Sequence, residues 1–386
     1  MHGTAPCRAA PRLAPAAAAP PSRRRRGGRR AAARPRAALA RRRIGCSDLL
    51  VSPLCLGTMQ HGEALDEAAA AAQLSAAADA GVDFFDTAEM YPVPQRAATA
   101  GASEAILGRW LRGRRRESYT VCTKVAGPGG MDWLRGGPAT LDGPNITSAV
   151  EGSLRRLGVD SIDLLLLHWP DRYVPMFGEA DYDPARKLPS APLEEQAAAL
   201  AAAVTAGKVR HVGLSNETPY GLLRFAAAGG PRPVALQNAY SLVARGFDAG
   251  LAECCSELNV SLLAYSPLAM GLLSGKYLAA DGGPPGARLN KYRGRYAEGE
   301  ARYGAKPNAR AAVAAYAALA AEAGLAPAAL ALRFALGHPL AAAAVTGATG
   351  AAQLAELAAA AAAPPLGADL RAAVDAVHAR YPNPLP

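Results

Sequence analysis

Eight short apolar runs recur along the chain, each followed by a stretch long enough for a helix, and that alternation constrains the fold more than any other feature. The runs are Leu54–Thr58, Val82–Phe85, Tyr119–Lys124, Ile162–His168, Val209–Leu214, Val234–Gln237, Ser261–Ala264 and Ala342–Thr346. Between them lie Asp66–Ala80, Ala102–Leu111, Ile146–Leu157, Leu193–Ala206, Pro219–Ala228 and Phe247–Leu258, rich in the strong helix formers Ala and Leu. Ala309–Ala323 and Pro327–Leu336 precede the eighth run, and Gln353–Ala362 and Gly367–Arg380 follow it. Leu164–Leu167 is apolar at both parities, so both faces of that strand are buried, as in a parallel sheet covered by helices. Eight such units without linker composition predict one α/β domain over residues 44–386, a (β/α)8 TIM barrel. A short β-hairpin, Arg42–Ser52 turning at Ser47-Asp48, precedes it, and a helix closes the C-terminus. A doubly wound open sheet would place GxGxxG after its first strand; this chain reads Gly57-Thr58-Met59-Gln60-His61-Gly62 there.

The formal charge of +10 belongs to a tail, because residues 1–43 hold 13 of the 42 basic side chains and no acid. The rest carries 29 basic residues against 32 acidic ones. The tail is rich in Ala, Pro and Arg, with Arg23–Arg26 as a run, and buries too little apolar surface to order itself. Pro11, Pro15 and Pro20 interrupt the apolar core a secretory signal needs, whereas an Arg-rich, acid-free segment has the composition of an organellar transit peptide. Chloroplast ranks ahead of mitochondrion, with a cytoplasmic protein if the tail is not a transit peptide. A basic arm for nucleic acid or nuclear import is the competing reading. No stretch reads as a membrane span, since the uncharged Phe334–Ala355 contains His338, Pro339, Gln353 and three Gly. Cys7, Cys46, Cys55, Cys122, Cys254 and Cys255 show no CxxC or zinc spacing, so reduced thiols and no metal are expected.

Chemistry gathers where the strands stop. VDFFDTAEMY, Val82–Tyr91, ends an apolar strand in Asp86, Thr87, Glu89 and Tyr91; Lys124 ends the third strand and His168 the fourth. Phe84 with Asp86, Cys122 with Lys124 and Leu166 with His168 share faces, so the polar groups point into one mouth. Such a set suits proton delivery to a carbonyl oxygen. A phenol with a pKa near about 10 is a poor acid at neutral pH. A neighbouring Lys⁺ is expected to lower that pKa, with Asp86 holding the lysine and His168 positioning the carbonyl or sharing the proton. Singly, each residue has a structural reading: ion pair, rim aromatic, satisfied histidine or, for Asp86, a helix cap. Their convergence favours a reaction site. The connections Asp171–Pro192 and Leu278–Asn308 follow strands and so fall on the same face, as lids or as disordered insertions. The second contains Tyr292, Arg293, Arg295, Tyr296, Arg302 and Tyr303.

FDTAEMY (85–91), the Thr-Lys of 123–124, LLHWP (166–170), VGLSNET (212–218) and LAYSPLAMGLLSGKY (263–277) resemble the aldo-keto reductase superfamily from Arg42 to the C-terminus. LQNAYSL (236–242) and the terminal AVHARYPNPLP are similar to its Tas-like branch. The resemblance implies a catalytic tetrad of Asp86, Tyr91, Lys124 and His168, acting on a small-molecule carbonyl compound. It also implies NADPH extended across the barrel mouth, with neither nucleic acid nor membrane as partner. Ser215, Asn216 and Gln237 match the nicotinamide carboxamide ligands, and Tyr265 matches the aromatic stacked on the ring. Ser266, Pro267, Leu268 and Gly271 match the pyrophosphate loop, with Lys276 close by. Gly347, Thr349, Gln353 and Glu356 match the segment around the 2′-phosphate and adenine, and Thr58 sits where the first strand meets the cofactor, beside Asp86. Two departures weaken the preference for NADPH over NADH: Leu357 follows Glu356 where an Asn is usual, and Gly350 stands where a Ser or Arg often meets the 2′-phosphate.

Other readings fit less well. A short-chain dehydrogenase needs a Lys four residues after its Tyr, which none of the 13 tyrosines has. A metal hydrolase needs paired His or clustered carboxylates at the strand ends. A non-catalytic NADPH-binding subunit, resembling the potassium-channel β-subunits, is the rival from another class; the complete tetrad favours an enzyme.

Overall fold

The computed structural model of the protein describes residues 39–348 and 350–385. Residues 1–38 of the tail read as a transit peptide, and Thr349, lie outside the described residues.

A hairpin, β1 (Arg42–Arg43) and β2 (Leu50–Val51), leads into β3 (Leu54–Gly57), β4 (Phe84–Asp86), β5 (Thr120–Val125), β6 (Ile162–Leu167), β7 (Val209–Ser215), β8 (Ala235–Ala239), β9 (Ser261–Tyr265) and β10 (Ala341–Thr346). Strands β3 to β10 pair in parallel and in order, and β10 returns to β3 through Ala344↔Leu54, which closes the barrel. Around it run α1 (Glu67–Asp79), α2 (Ala102–Leu111), α3 (Gly143–Leu157), α4 (Leu193–Thr205), α5 (Pro219–Ala226) and α6 (Gly250–Leu258). Then come α7 (Arg288–Lys291), α8 (Ala297–Tyr303), α9 (Ala309–Glu322), α10 (Pro327–Leu336), α11 (Ala351–Ala362) and α12 (Ala368–Arg380). This is the (β/α)8 TIM barrel that the sequence predicts.

Strand parity builds two cores. Cys55, Phe84, Cys122, Leu164, Leu166 and Leu263 fill the barrel interior. Phe85, Val121, Leu165, Leu167 and Leu262 point outward into the layer covered by helices. A fully buried side chain of this size contributes about 1.5–3 kcal/mol, so both parities must stay apolar. Ile44, Leu49 and Val51 join the interior cluster, so the hairpin floors the barrel end opposite the strand C-termini. Its entry requires glycine. Gly45 has φ +49, and a Cβ there would collide with the Val234 and Asn259 carbonyl oxygens.

Element ends move for local reasons. Helix α3 starts at Gly143, three residues before the expected Ile146, because Asp142 caps it by accepting from the Asn145 N–H at 2.8 Å. Strand β4 starts only at Phe84, since the Asp83 N–H donates to the Ser52 hydroxyl at 3.1 Å rather than to a neighbouring strand. The ordered unit also begins earlier than residue 44. Leu39 packs into the outer core, Arg41 pairs with Asp83, and Arg42 Nη1 donates to Leu336 O at 2.8 Å and Ala341 O at 2.9 Å. Truncation after residue 43 should therefore destabilise the barrel by about 1–3 kcal/mol relative to truncation after residue 38. Urea midpoints of the two truncations measure that difference, and coincident curves would show these contacts to be neutral.

The connection 278–308 is an ordered cover rather than a disordered insertion: it forms α7 and α8 and buries Tyr292, Tyr296 and Tyr303. The connection 171–192 is tied down by an Arg186–Glu179 ion pair and a Tyr173–Tyr182 stack at 5.5 Å.

Candidate active site

The strand C-termini surround a cavity of about 450 Å³. Its lining runs from His168 and Trp169 after β6 to Thr346 and Gly347 at β10, strands on opposite sides of the barrel, so it spans the whole mouth. A smaller recess, about 200 Å³, lies between α4 and α5. Its arginines are already matched, Arg172 to Glu217 and Arg224 to Glu194.

Asp86 and Lys124 form the buried base of the large cavity. Lys124 is wholly buried, and its Nζ donates to both Asp86 carboxylate oxygens at 2.7 Å and to Thr87 O at 2.8 Å. All three ammonium donors are thereby satisfied. Burial alone would push the lysine pKa down; the Asp86 charge, with Tyr91 and Cys122, overturns that and leaves it raised. Gln237 Nε2 donates to Asp86 Oδ1 at 2.8 Å, so this glutamine holds the carboxylate from the other side.

Tyr91 stands over this pair, with Lys124 Nζ 5.1 Å from its ring centroid. Its pKa lies above the usual phenol value, contrary to the sequence expectation. Burial dominates; the Lys124 charge pulls in the expected direction but does not win, and the Asp86 and Glu298 charges add to the rise. His168 meets Tyr91 edge to face, with centroids 5.6 Å apart. Burial, and then the Lys124 charge, holds the imidazole pKa well below its usual value, so the ring is neutral. Its Nδ1 is buried without a hydrogen-bond partner among the described residues.

The fourth polar group of the Val82–Tyr91 stretch has a different job. Glu89 accepts from the Ala126 N–H at 2.8 Å and pairs with Arg135, which also donates to Ala126 O at 3.0 Å and Asn145 Oδ1 at 2.8 Å. It fixes the loop between β5 and α3.

Of the residues expected to hold a dinucleotide, Ser215, Asn216, Gln237, Tyr265, Ser266, Pro267, Leu268, Gly271, Lys276, Gly347 and Gln353 line the cavity. Three of the expected site residues lie outside the lining. Thr58 is buried, its hydroxyl donating to Asp86 O at 3.1 Å; Glu356 is exposed on α11; Lys124 lies behind Asp86. Leu357, in place of the usual Asn, is fully buried in the outer core, where an amide would need a partner.

Asn216 sits at φ 53, accepting from the Tyr265 hydroxyl at 2.5 Å and donating to His168 O at 2.8 Å. Gly271, at φ +95, lets Lys276 close in: a Cβ would meet its Cε at 3.0 Å and its Nζ at 3.1 Å. Arg288, at the start of α7, was not singled out by sequence. It lines the cavity so near Gly347 that a Cβ there would meet Nη2 at 3.4 Å. Burial, with the Arg288 charge, pulls Lys276 down in pKa, and burial does the same to Arg288. Two desolvated cations side by side suit an anion of high charge, so the donor set fits the phosphates of a dinucleotide. Tyr296, Glu298 and Arg302 also reach the lining from the 278–308 cover, whereas Arg293 and Arg295 are exposed. The only sequence signal separating the two groups was spacing: 298 and 302 are one turn apart on α8 and share a face.

Residues 53–379 match the aldo/keto reductase family. The chain is 40% identical over 351 residues to protein tas of Escherichia coli (strain K12), covering 89% of this chain and 99% of that one. It is 34% identical over 249 residues to the uncharacterized oxidoreductase YrpG of Bacillus subtilis (strain 168), with 62% and 70% coverage. To the aldo-keto reductase yakc [NADP(+)] of Schizosaccharomyces pombe it is 31% identical over 237 residues, with 60% and 62% coverage.

Proposed function

The chain belongs to the aldo/keto reductase family, and from that premise we propose that it reduces an aldehyde or ketone to an alcohol with NADPH, Tyr91 acting as the general acid. One observation carries the reading: a buried Asp86–Lys124 pair stands beside a buried phenol and a neutral imidazole at the barrel mouth.

Each group has a defined task. Tyr91 keeps its proton through neutral and alkaline pH because burial raises its pKa. Lys124 stabilises the phenolate once that proton has left, and Asp86 with Gln237 fixes the lysine. Neutral His168 orients the carbonyl oxygen without adding a charge. When bound, reduced nicotinamide supplies a hydride to the carbonyl carbon. The oxygen then takes the Tyr91 proton, and the phenolate is reprotonated from solvent. Steady-state turnover of NADPH with a panel of aldehydes, ketones and quinones tests the reading; binding without oxidation by any of them would point to a non-catalytic subunit instead.

Lys276 and Arg288 are assigned to the phosphates, with Gly347 and Gln353 beside them. Arg288 offers the basic side chain that Gly350 does not. Arg288→Ala should weaken NADPH about 10–100-fold, the worth of one charge-assisted contact, and NADH much less. Titration of both dinucleotides by fluorescence measures it. Equal losses would place Arg288 at the pyrophosphate rather than the 2′-phosphate.

A further inference from the structure

The remaining cation of the cavity has no role in that scheme. Arg302 is only 6% exposed and yet lines the cavity. Arg245, buried as deeply, is matched to Asp375, and the buried Arg135 side chain to Glu89. Arg302 has no carboxylate at ion-pair distance among the described residues; its hydrogen bond is from Nη1 to the Tyr265 hydroxyl at 2.8 Å. Glu298, one turn earlier on α8, hydrogen-bonds Tyr296 and lies beyond ion-pair distance of Arg302, although its charge, with the Tyr265 and Tyr303 hydroxyls, favours the guanidinium's charged form.

The surroundings hold this guanidinium still, between Tyr265 and the aromatic side chains that lead to His168. Its central carbon lies 4.9 Å from the Tyr265 ring centroid, 5.5 Å from Tyr303 and 6.0 Å from Phe177. Phe177 packs edge-on against Trp169 at 6.2 Å, and Trp169 against His168 at 4.7 Å. An unbroken aromatic wall thus connects the imidazole at the proposed reacting centre to Arg302. Aromatic faces restrain the guanidinium plane, and its fork geometry matches the two oxygens of a carboxylate. Burial opposes this charge while Tyr265, Tyr303 and Glu298 keep the guanidinium charged, and an incoming carboxylate supplies the matching two-oxygen partner that no described residue provides at ion-pair distance.

We propose that Arg302 is the specificity-determining residue of the pocket and selects carbonyl substrates that carry a carboxylate, such as aldehydic and oxo acids. This rests on the carbonyl-reductase reading above. The carboxylate binds Arg302 while the carbonyl lies at Tyr91 and His168, so the acid is recognised by the cover rather than by the barrel rim.

The test compares 4-carboxybenzaldehyde with its neutral methyl ester, in the full chain with NADPH. The wild type should favour the acid in kcat/KM, mostly through KM. Arg302→Met should lower the acid-to-ester ratio by about 10–100-fold, and Arg302→Lys should restore part of it. Calorimetric titration with benzoate gives a readout independent of turnover: the wild type should bind it, and Arg302→Met should lose that binding. Parallel titration with NADPH separates a cofactor effect. If the wild type reduces ester and acid equally well, the Arg302 proposal fails while the reductase reading stands. If neither aldehyde is reduced but benzoate binds through Arg302, the reductase reading fails and the anion site stands. A ratio unchanged in Arg302→Met, with NADPH weakened, would overturn the proposal by assigning Arg302 to the cofactor.

Discussion

Tyr91→Phe is expected to lower kcat for aldehyde reduction by roughly 10²–10⁴-fold, the usual worth of a positioned general acid. The substitution removes one hydroxyl and little volume from a buried ring. Its edge contact with His168 and its place over Lys124 do not depend on the oxygen, so folding and NADPH binding should survive. Because burial raises the phenol pKa, the wild-type kcat/KM should show no fall attributable to Tyr91 ionisation up to about pH 10, the ordinary phenol value. Single-turnover rates of Tyr91→Phe with bound NADPH decide the assignment. A near wild-type rate would remove Tyr91, and with it the proposed roles of Lys124 and His168.

Lys124→Met should have the largest effect on stability, about 3–5 kcal/mol, because it strips a wholly buried carboxylate of its counter-charge. Asp86 would be left with the neutral Gln237 amide and Cys122 thiol, and Thr87 O would lose its donor. Turnover should fall as well, since the phenolate left by proton transfer loses its cation. The double variant Asp86→Asn, Lys124→Met separates the two effects. Removing both charges should recover much of the unfolding free energy, read from urea midpoints, while turnover stays low. If Lys124→Met unfolds at the wild-type midpoint, the pair is not desolvated as the geometry indicates.

The proposed catalytic cluster was legible because Asp86, Lys124 and His168 stand at strand ends with shared parity, and Tyr91 follows in the turn after β4. Phe84–Asp86, Cys122–Lys124 and Leu166–His168 each put an apolar residue inside the barrel and a polar one at its mouth. Periodicity of two carries that information along a single strand. The sign of the Tyr91 shift was not legible, since it depends on whether burial or the Lys124 charge dominates, and burial is a property of the assembled mouth. Glu89 shows the same limit: its position matched the pattern, but Arg135, 46 residues away, takes it for a loop.

What the sequence determined by itself was therefore the local grammar: eight buried strands, the helices between them, the barrel they must close, and the three strand-end groups that, with Tyr91 in the turn after β4, meet at its mouth. Those follow from patterns of a few residues repeated eight times. What only the tertiary structure decided was which side chains of the 278–308 connection enter the mouth. Arg288 and Arg302 reach the cavity while Arg293 and Arg295 face solvent, although nothing in their immediate neighbours distinguishes them. Arg302 enters because α8 lays one face against Tyr265 and Phe177, residues 37 and 125 positions away, and a helix face is chosen by what it packs on, whereas Arg293 and Arg295 lie in the turn between α7 and α8.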